Sequence, residues 1–425
     1  MMKVLCAGDV HIGRRSSRLR VEADGRTVST AACWGRIVDL AVSERVDVVA
    51  LSGDVVDQAN RYYEAIGPLE AGIRRLEAEG IVTVAVAGNH DHDVLPRLAE
   101  SLAPESFRLL GRGGRWERTT IRLGDEVLHV DGWSFPAREY AESPLVTYDL
   151  SPADHGFVLG LLHADLDQPR SSYAPVTLAE LRARPVHFWL LGHIHAPRAE
   201  EAPGQAAVLY PGSPQAMDPG ERGEHGVWIL DVGPGGAVSR CMVPLSTVQY
   251  ETVEVDLTGI EEPHRADQLV VDAVKQALAG AMSGSGHLSH LSCRVRVTGR
   301  TPLHRELADS LQRLRLDLQL TSGPVTAWVE SVQVDARPAV DLEELARGRD
   351  AAGVVANLLL ALERGELEAV AELLGRARER AAAVRRAKPY LALPGDVNLD
   401  DGTVAAALAD RAALLLDHLL AQKAE

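Results

Sequence analysis

The sequence predicts an α/β fold in which two stacked β-sheets are covered by helices on both outer faces, an α-β-β-α layered sandwich. The apolar runs "VDVVALSG" and "IVTVAVAG" are continuous rather than alternating, which is typical of strands that are covered on both faces. Segments with helical periodicity separate such runs in the first half of the chain, as a layered α/β fold requires. We expect this sandwich to end near residue 245.

The elements of the sandwich follow one another in a regular order. "VLCA" is the first predicted strand, and a helix at residues 29–45 follows it, with Ser29 or Thr30 as its N-terminal cap. "VDVVALSGD" is the next strand, and "YYEAIGPLEAGIRRLEAEG" is a helix that ends at Gly80. One further helix is predicted at residues 177–183. The remaining predicted strands are "IVTVAVAGNHD", "TTIRL", "EVLHVDG", "FVLGLLH", "VHFWLLGHIH", "AVLYPGS" and "HGVWILDVG".

Two smaller units are predicted after the sandwich, which we place at residues 1–245. Residues 246–340 read as strand, helix, strand, helix, strand, with helices at 265–281 and 303–315, and this order is sufficient for a small α/β domain. Residues 341–425 read as helices that "KPYLALPGD" interrupts. An apolar helix face with nothing of its own to pack on either caps the preceding domain or binds a partner.

Length, charge and cysteine content narrow the class of protein. A chain of 425 residues is too long for one core. Its net charge of −16 argues against a passive basic surface that holds nucleic acid by its phosphates, although bound divalent cations can offset a carboxylate-rich site. No apolar run approaches the ~20 residues of a membrane span, so no membrane association is expected. The scattered cysteines favour reduced thiols in the cytoplasm: Cys6, Cys33, Cys241 and Cys293.

Polar side chains that can bind metal follow five of the predicted strands. They are Asp9 and His11, then Asp54, then Asn89, His90 and Asp91, then His163, and finally His193 and His195. The carboxyl ends of the strands form the ligand site in layered α/β sheets, so we expect these side chains to converge. Apart from His90 and Asp91, they supply two Asp, one Asn and four His, too many donors for one ion unless a group bridges.

This donor set predicts a pair of metal ions that share a carboxylate. Imidazole and carboxylate ligands without a thiolate favour Mn²⁺, Fe²⁺ or Zn²⁺ over Mg²⁺ or Ca²⁺. Two ions about 3.5–4 Å apart are a common arrangement for in-line attack on phosphorus. The chemistry that the sequence indicates is therefore metal-dependent hydrolysis of a phosphoester.

The motif order D-x-H, G-D, G-N-H-D, a lone His and G-H-x-H, spread over residues 9–195, resembles that of the calcineurin-like metallophosphoesterases. Within that superfamily the domain order resembles the SbcD-type DNA double-strand-break repair nucleases, the nuclease subunit of bacterial SbcCD complexes. The resemblance implies a Mn²⁺-dependent DNA exo/endonuclease that acts as a homodimer. Residues 246–340 would be a DNA-binding capping domain, and the C-terminal helices would bind an SMC-like ATPase subunit.

The resemblance also implies a role for each residue of the site. The ligands of the first ion are Asp9, His11 and His195. The ligands of the second ion are Asn89, His163 and His193. Asp54 bridges the two ions. His90 does not bind metal but faces the scissile phosphate as a general acid or a charge stabiliser, and Asp91 orients it.

Two local features leave alternatives open. Members of the family often carry a His three residues after the bridging Asp, whereas this chain has Asp57, so the role of that position is undetermined. The segment "GRRSSRLR" is either a solvated loop or a phosphate-contacting lip beside the metals, because Arg pairs well with phosphate oxygens. The arginines of this lip are Arg14, Arg15, Arg18 and Arg20. Trp133 is expected in the core rather than as a platform for base stacking.

A second function fits the same metal site. A small-molecule phosphodiesterase or phosphatase of the superfamily accounts for the ligands equally well and for the acidic charge slightly better. It leaves the residues after 246 without a purpose, and we therefore favour the nuclease.

Overall fold

The computed structural model describes residues 2–20, 27–58, 65–103, 105–284, 286–386 and 400–424. The strands of the sandwich are β1 (Met2–Ala7), β2 (Val48–Leu51), β3 (Val82–Ala85), β4 (Phe107–Leu109), β5 (Glu117–Leu123), β6 (Glu126–Trp133), β7 (Phe157–His163), β8 (Phe188–Gly192), β9 (Arg198–Glu200), β10 (Ala207–Tyr210), β11 (Gly226–Val232) and β12 (Val238–Pro244). Its helices are α1 (Thr30–Ser43), α2 (Ile66–Ala78), α3 (Leu95–Ser101) and α4 (Leu178–Arg182).

The strands form two six-stranded sheets. The first has the order β12-β11-β1-β2-β3-β4, in which β1 to β4 are parallel and β11 is antiparallel to β1. The second has the order β5-β6-β7-β8-β10-β9, with a parallel centre from β6 to β10. The central strands of both sheets are parallel, so their carboxyl ends lie at one edge of each sheet.

Three apolar layers confirm the α-β-β-α arrangement. The middle layer joins the sheets, with Val4 of the first and Leu161 of the second in one buried cluster. A second layer packs Trp34 and Ile37 of α1 against the outer face of the first sheet. A third covers the outer face of the second sheet and contains Trp133, which is fully buried as predicted.

Local chemistry accounts for the ends of the helices. The side chain of Ser29 accepts a hydrogen bond from the backbone N–H of Ala32, so Ser29 caps α1 as expected. Helix α2 ends just before Gly80, whose φ of 75° lies in the left-handed region. The first residues of the predicted second helix, 62–64, lie outside the described residues. Helix α3 and the strands β4, β9 and β12 were not predicted.

A third sheet follows the sandwich, with strands β13 (Val248–Asp256), β14 (His290–Thr298), β15 (Gln319–Ser322) and β16 (Val325–Val334) in the order β13-β14-β16-β15. Its helices are α5 (Pro263–Ala281) and α6 (Leu307–Asp317). The helix predicted at 303–315 was wrong in its first turn, because a 3₁₀ turn at Pro302–Arg305 precedes α6. The short strand β15 was also missed.

Internal contacts divide the chain into two compact units. One unit comprises Met1–Val253, Val271–Val295 and Arg315–Ser331. The other comprises Glu254–Val270, Arg296–Leu314 and Val332–Glu425. The boundaries at 245 and 340 that we drew from the sequence stay predictions.

The C-terminal helices belong to the second of these units. They are α7 (Leu342–Ala346), α8 (Ala351–Glu363), α9 (Ala371–Arg386) and α10 (Asp401–Ala424), and the predicted break at "KPYLALPGD" lies outside the described residues. Helices α8 and α10 bury Leu359 and Leu416 in one cluster. Asp417 of α10 forms ion pairs with Arg300 at 3.2 Å and with Arg337 at 3.7 Å. None of the described helices has the length and apolarity needed to cross a bilayer.

Candidate metal centre

The predicted metal-binding side chains come from the carboxyl ends of neighbouring strands in both sheets. Asp9 follows β1 and Asp54 follows β2, whereas His163 ends β7 and His195 follows β8. These strands are neighbours within their sheets. The side chains of both sheets meet there, as the sequence predicted.

The turns that carry these residues have unusual backbone geometry. Four residues of these turns have positive φ values, which residues other than Gly rarely adopt. They are Asp9, His11, Asp54 and His193, with φ of 51°, 48°, 49° and 98°. Each such residue costs about 1–3 kcal/mol, so the surroundings must hold it. The N–H groups of Asp9 and His11 donate to the carbonyls of Gly53 and Asp54, at 3.1 and 2.9 Å. The turns are thus fixed against one another.

Glycines allow the turns to approach closely. A Cβ on Gly192 would lie 2.1 Å from the Ser52 carbonyl oxygen and 2.6 Å from Nδ1 of His163. A Cβ on Gly88 would lie 2.2 Å from Oδ1 of Asp54. The glycines in the G-H-x-H and G-N-H-D motifs are therefore required by packing around the ligands.

Asp9, His11 and His195 form one cluster whose candidate ligand atoms lie within 4.8 Å of one another. The Nε2 atoms of His11 and His195 are 3.2 Å apart. Nδ1 of His195 is 2.7 Å from Oε1 of Glu221, which can only accept, so the Nδ1 hydrogen is donated to Glu221. In the neutral ring the Nε2 lone pair then faces His11, an arrangement suited to a shared cation.

Asp9, Asp54 and His163 form a second cluster of the same size. Nδ1 of His163 donates to the carbonyl of Ser52 at 3.0 Å, so in the neutral ring Nε2 is the free ligand atom. This Nε2 lies 3.0 Å from Oδ1 of Asn89 and 3.4 Å from Oδ2 of Asp54. The same Asp54 oxygen is 3.8 Å from Nε2 of His11 and thus lies between the two clusters.

The buried carboxylates of the centre require positive charge nearby. Burial raises the pKa of Asp54, but His163, His11 and His90 outweigh it, and the pKa falls well below its ordinary range. Burial lowers the pKa of His163, but Asp54 and Asp9 raise it on balance to about 9. Buried carboxylates are stable only when they are paired or coordinate metal. Divalent cations fit this donor set, since they supply the charge that protons on the imidazoles otherwise provide.

His193 lies at the margin of the second cluster. Its ring centroid is 5.2 Å from that of His163, and its Nε2 is 3.4 Å from Oδ1 of Asp165. Its backbone N–H donates to both carboxylate oxygens of Asp9, at 3.0 and 3.1 Å. The assignment of each ligand to one ion stays a prediction.

His90 lies on the more open side of the centre, and Asp57 contacts its ring. Nδ1 of His90 is 3.5 Å from Oδ2 of Asp57, and Nδ1 of His11 is 3.4 Å from the same oxygen. The nearby Asp57 carboxylate is the main reason that the pKa of His90 is raised. Oδ2 of Asp54 is 4.0 Å from Nε2 of His90. Asp57 therefore acts on the ring that we predicted to face the phosphate.

Asp91 does not have the surroundings that we predicted from the resemblance. Its carboxylate accepts hydrogen bonds from the backbone N–H groups of Val55, Val56 and Gly88, at 2.7, 3.2 and 2.7 Å. It is fully buried, and burial together with Asp54 raises its pKa to about 7. Asp91 thus holds together the turns after β2 and β3, and the carboxylate that contacts the ring of His90 is Asp57.

The arginines of the predicted lip have different surroundings. Arg15 and Arg18 are exposed, and Arg14 is half-buried. Burial lowers the pKa of His195, Glu221 and Asp9 raise it on balance, and the charge of Arg14 opposes them, as expected for an arginine beside the centre. Arg20 instead donates to three carbonyls at the end of α6: those of Arg315, Leu316 and Leu318. The guanidinium of Arg20 is thus engaged by the backbone, and for the other three arginines the lip stays a prediction.

Sequence reasoning missed the carboxylates behind the histidines. Glu221 and Asp165 contact imidazoles from loops, and no spacing pattern links them to the motifs. The described residues offer no further metal-binding group after His195. Position 57 was noted only as a departure from the family pattern, although its spacing from Asp54 places it beside the site.

Two family models match this chain. Residues 2–197 match the model described as calcineurin-like phosphoesterase. Residues 250–337 match the model described as the middle domain of metallophosphoesterase YhaO. The first match covers every motif of the metal centre.

The individual relatives share less than a third of their residues with this chain over the aligned regions. The uncharacterized metallophosphoesterase YhaO of Bacillus subtilis is 31% identical over 246 residues, which are 57% of this chain and 59% of that protein. The DNA double-strand break repair protein Mre11 of Haloferax volcanii is 28% identical over 290 residues, 64% of this chain and 58% of that protein. This chain therefore spans less than two thirds of the length of either relative. The structure of a dimetal phosphatase from Danio rerio covers 58% of this chain and 99% of its own, at a TM-score of 0.39 and 14% identity.

The matched residues are the ones that carry the ligand-bearing turns of both sheets, so the sequence motifs and the family model fall on the same part of the molecule. Residues 2–197 thus match the calcineurin-like phosphoesterase family over the part of the chain that carries the two candidate metal clusters.

Proposed function

We propose that this protein is a two-metal, Mn²⁺-dependent DNA exo/endonuclease of the SbcD and Mre11 type. The observation that carries the proposal is the pair of clusters that share Asp9, beside which His90 forms a third group of candidate ligands with His11 and Asp57. Relatives whose names state a role in DNA double-strand break repair support the choice of substrate. Arg14, whose charge acts on His195, supplies a cationic group beside the centre in a chain of net charge −16, and Arg15 and Arg18 follow it in sequence.

In this proposal each group of side chains has a separate role in hydrolysis. Two divalent ions, when bound, supply an activated water and neutralise charge on the phosphate. Asp54 and the imidazoles around it hold the ions in place, and Asn89 supplies an uncharged oxygen donor. His90 holds a proton on the face towards the leaving oxygen, and Asp57 keeps its ring oriented. The arginines bind the non-bridging phosphate oxygens of the DNA backbone.

The proposal includes an SMC-like ATPase partner that binds the C-terminal helices. Val354, Val384 and Leu415 are large apolar residues that stay exposed on α8, α9 and α10. The chain thus keeps apolar side chains on its surface after α8 and α10 have packed together. The proposed partner would cover these side chains.

One experiment separates the nuclease from the alternative function. The full chain, stripped with chelator and reloaded with Mn²⁺, is incubated with linear duplex DNA and, separately, with a chromogenic phosphodiester. We expect cleavage of the DNA, no cleavage in chelator, and weaker rescue by Mg²⁺ because imidazole donors favour Mn²⁺. The His90→Asn protein, prepared in parallel, controls for contaminating nucleases. Hydrolysis of the ester without cleavage of DNA would instead support a small-molecule phosphodiesterase.

A further inference from the structure

The ring of His195 is held on its outer side by a carboxylate from a distant loop. Oε1 of Glu221 lies 2.7 Å from Nδ1 of His195, and 26 residues separate the two in sequence. Glu221 is 7% exposed, so this hydrogen bond is shielded from water. A carboxylate can only accept, and the Nδ1 hydrogen of His195 is committed to it.

Glu221 is itself fixed by the loop that carries it. Its second oxygen, Oε2, accepts hydrogen bonds from Oγ of Ser213 at 2.9 Å and from the backbone N–H of Met217 at 2.8 Å. The backbone N–H of Ser213 in turn donates to the carbonyl of His195 at 2.9 Å. The loop between β10 and β11 therefore holds both the backbone and the ring of His195.

We propose that Glu221 is a positioning residue for the metal centre, which fixes His195 in the tautomer and orientation that present Nε2 to the ion. Carboxylates behind metal-binding histidines typically contribute about 10–100-fold to metal affinity. The inference rests on the part of the proposed function in which two metal ions bind at the centre. It does not depend on DNA being the substrate, because its readout is metal binding.

The first test is Mn²⁺ binding by the full-length Glu221→Gln protein, measured by titration calorimetry and by elemental analysis after gel filtration. The amide of Gln can donate to Nδ1, which leaves a hydrogen on Nε2 that blocks coordination. We expect one of the two ions to bind about 10–100-fold more weakly, while the other is retained. Glu224→Gln is the matched control, because Glu224 is exposed three residues along the loop. This control should bind both ions as the parent does.

Thermal unfolding separates positioning from a general structural role. In chelator we expect the Glu221→Gln protein to unfold within a few degrees of the parent, because the Gln oxygen can still accept from Ser213 and Met217. The rise in Tm on addition of Mn²⁺ should be smaller than that of the parent. A large loss of Tm in chelator, with unchanged Mn²⁺ affinity in the folded protein, would assign Glu221 to the fold alone and overturn the proposal.

A second measurement uses the unsubstituted protein. The full chain, labelled with ¹⁵N-histidine and loaded with ¹¹³Cd²⁺, should show coupling of His195 to the metal through Nε2. Coupling through Nδ1, or an uncoupled His195, overturns the proposal. If the DNA assay fails while these metal readouts hold, the proposed substrate is wrong and the role of Glu221 stands.

Discussion

His90 is the most exposed imidazole of the described centre, with 31% of its side chain accessible against 26% for His195 and 20% for His193, whereas His11 and His163 are buried. Its backbone N–H is already tied to Oδ1 of Asp54 at 2.8 Å, so the turn is held without help from the ring. The exposed part of the imidazole ring is therefore available to contact a substrate.

We expect His90→Asn to keep both metal ions and to lower the cleavage rate about 10²–10⁴-fold, the usual range for a lost acid–base group. The reason is that His90 contributes a proton rather than a ligand atom. Metal content by elemental analysis and initial rates on DNA check this. Loss of an ion in the variant would show that His90 is a ligand. Asp54→Asn is the comparison that should lose metal.

Asp57 gives a prediction about pH. Because Asp57 raises the pKa of His90, Asp57→Asn should lower that pKa. An acid catalyst must be protonated, so kcat/KM falls as the pH rises through its pKa, and in the variant this fall should begin at lower pH. The pH profile of kcat/KM in Mn²⁺ measures the shift. The profile of the double variant with His90→Asn is the control. An unmoved profile in the single variant would mean that Asp57 does not act through His90.

The residues of the candidate metal clusters could be located because each lies at or within a few residues of the end of a strand and belongs to a short motif. The roles of Asp57, Glu221 and Asp165 could not be predicted. Their imidazole partners lie on other turns, and the residue types and spacing within one loop do not indicate which other loop packs against it. The partners of Asp91 show the same limit, since its carboxylate binds backbone groups of a turn 35 residues away.

Among the secondary-structure elements, long buried strands were easy to predict and short edge strands were not. β4 and β9 have three residues each, too few for a periodicity to be detected, and β12 lies at the edge of its sheet with mostly exposed or half-buried side chains. The central strands that position the site are continuous apolar runs. The part of the fold that carries function was therefore the part that the pattern predicts best.

The junction between β8 and the turn after β2 gives a prediction at the same scale. Gly192→Ala would push a methyl group against Ser52 and His163, and we expect it to lower the free energy of unfolding in chelator by about 1–3 kcal/mol. Gly35→Ala is the control, because Gly35 lies within α1 with no atom near its missing Cβ. This change should stabilise the protein by about 0.5–1 kcal/mol. Denaturant unfolding measures both, and a Gly192→Ala protein as stable as the parent would contradict the packing argument.

At the scale of the whole molecule, the sequence predicted that the C-terminal helices either cap the preceding domain or bind a partner. Asp417 pairs with Arg300 and Arg337, so α10 is attached within its own compact unit. Apolar side chains nevertheless stay exposed on the same helices. Packing within the unit and binding of a partner are thus compatible.

We expect Leu415→Ser, combined with Val354→Ser, to weaken capture of the cognate SMC-like ATPase subunit at least about 10-fold. Each side chain is more than half exposed, so stability should change by less than about 0.5 kcal/mol per site. Val146→Ser is the matched control, since Val146 is 78% exposed in the phosphoesterase domain. Pull-down and thermal unfolding measure the two effects. Unchanged capture by the double variant would remove these helices as the docking site.

The convergence of ligands from two sheets has a consequence for the lifetime of the protein. An ion held by His11 and His195 joins side chains that are 184 residues apart in sequence, and so acts as a cross-link that closes a very long loop. Such a cross-link must open before the sheets can separate, and resistance to proteolysis rises with the population of bound metal. We therefore expect metal depletion to make the chain more susceptible to proteolysis, so that metal supply would influence its abundance as well as the proposed activity.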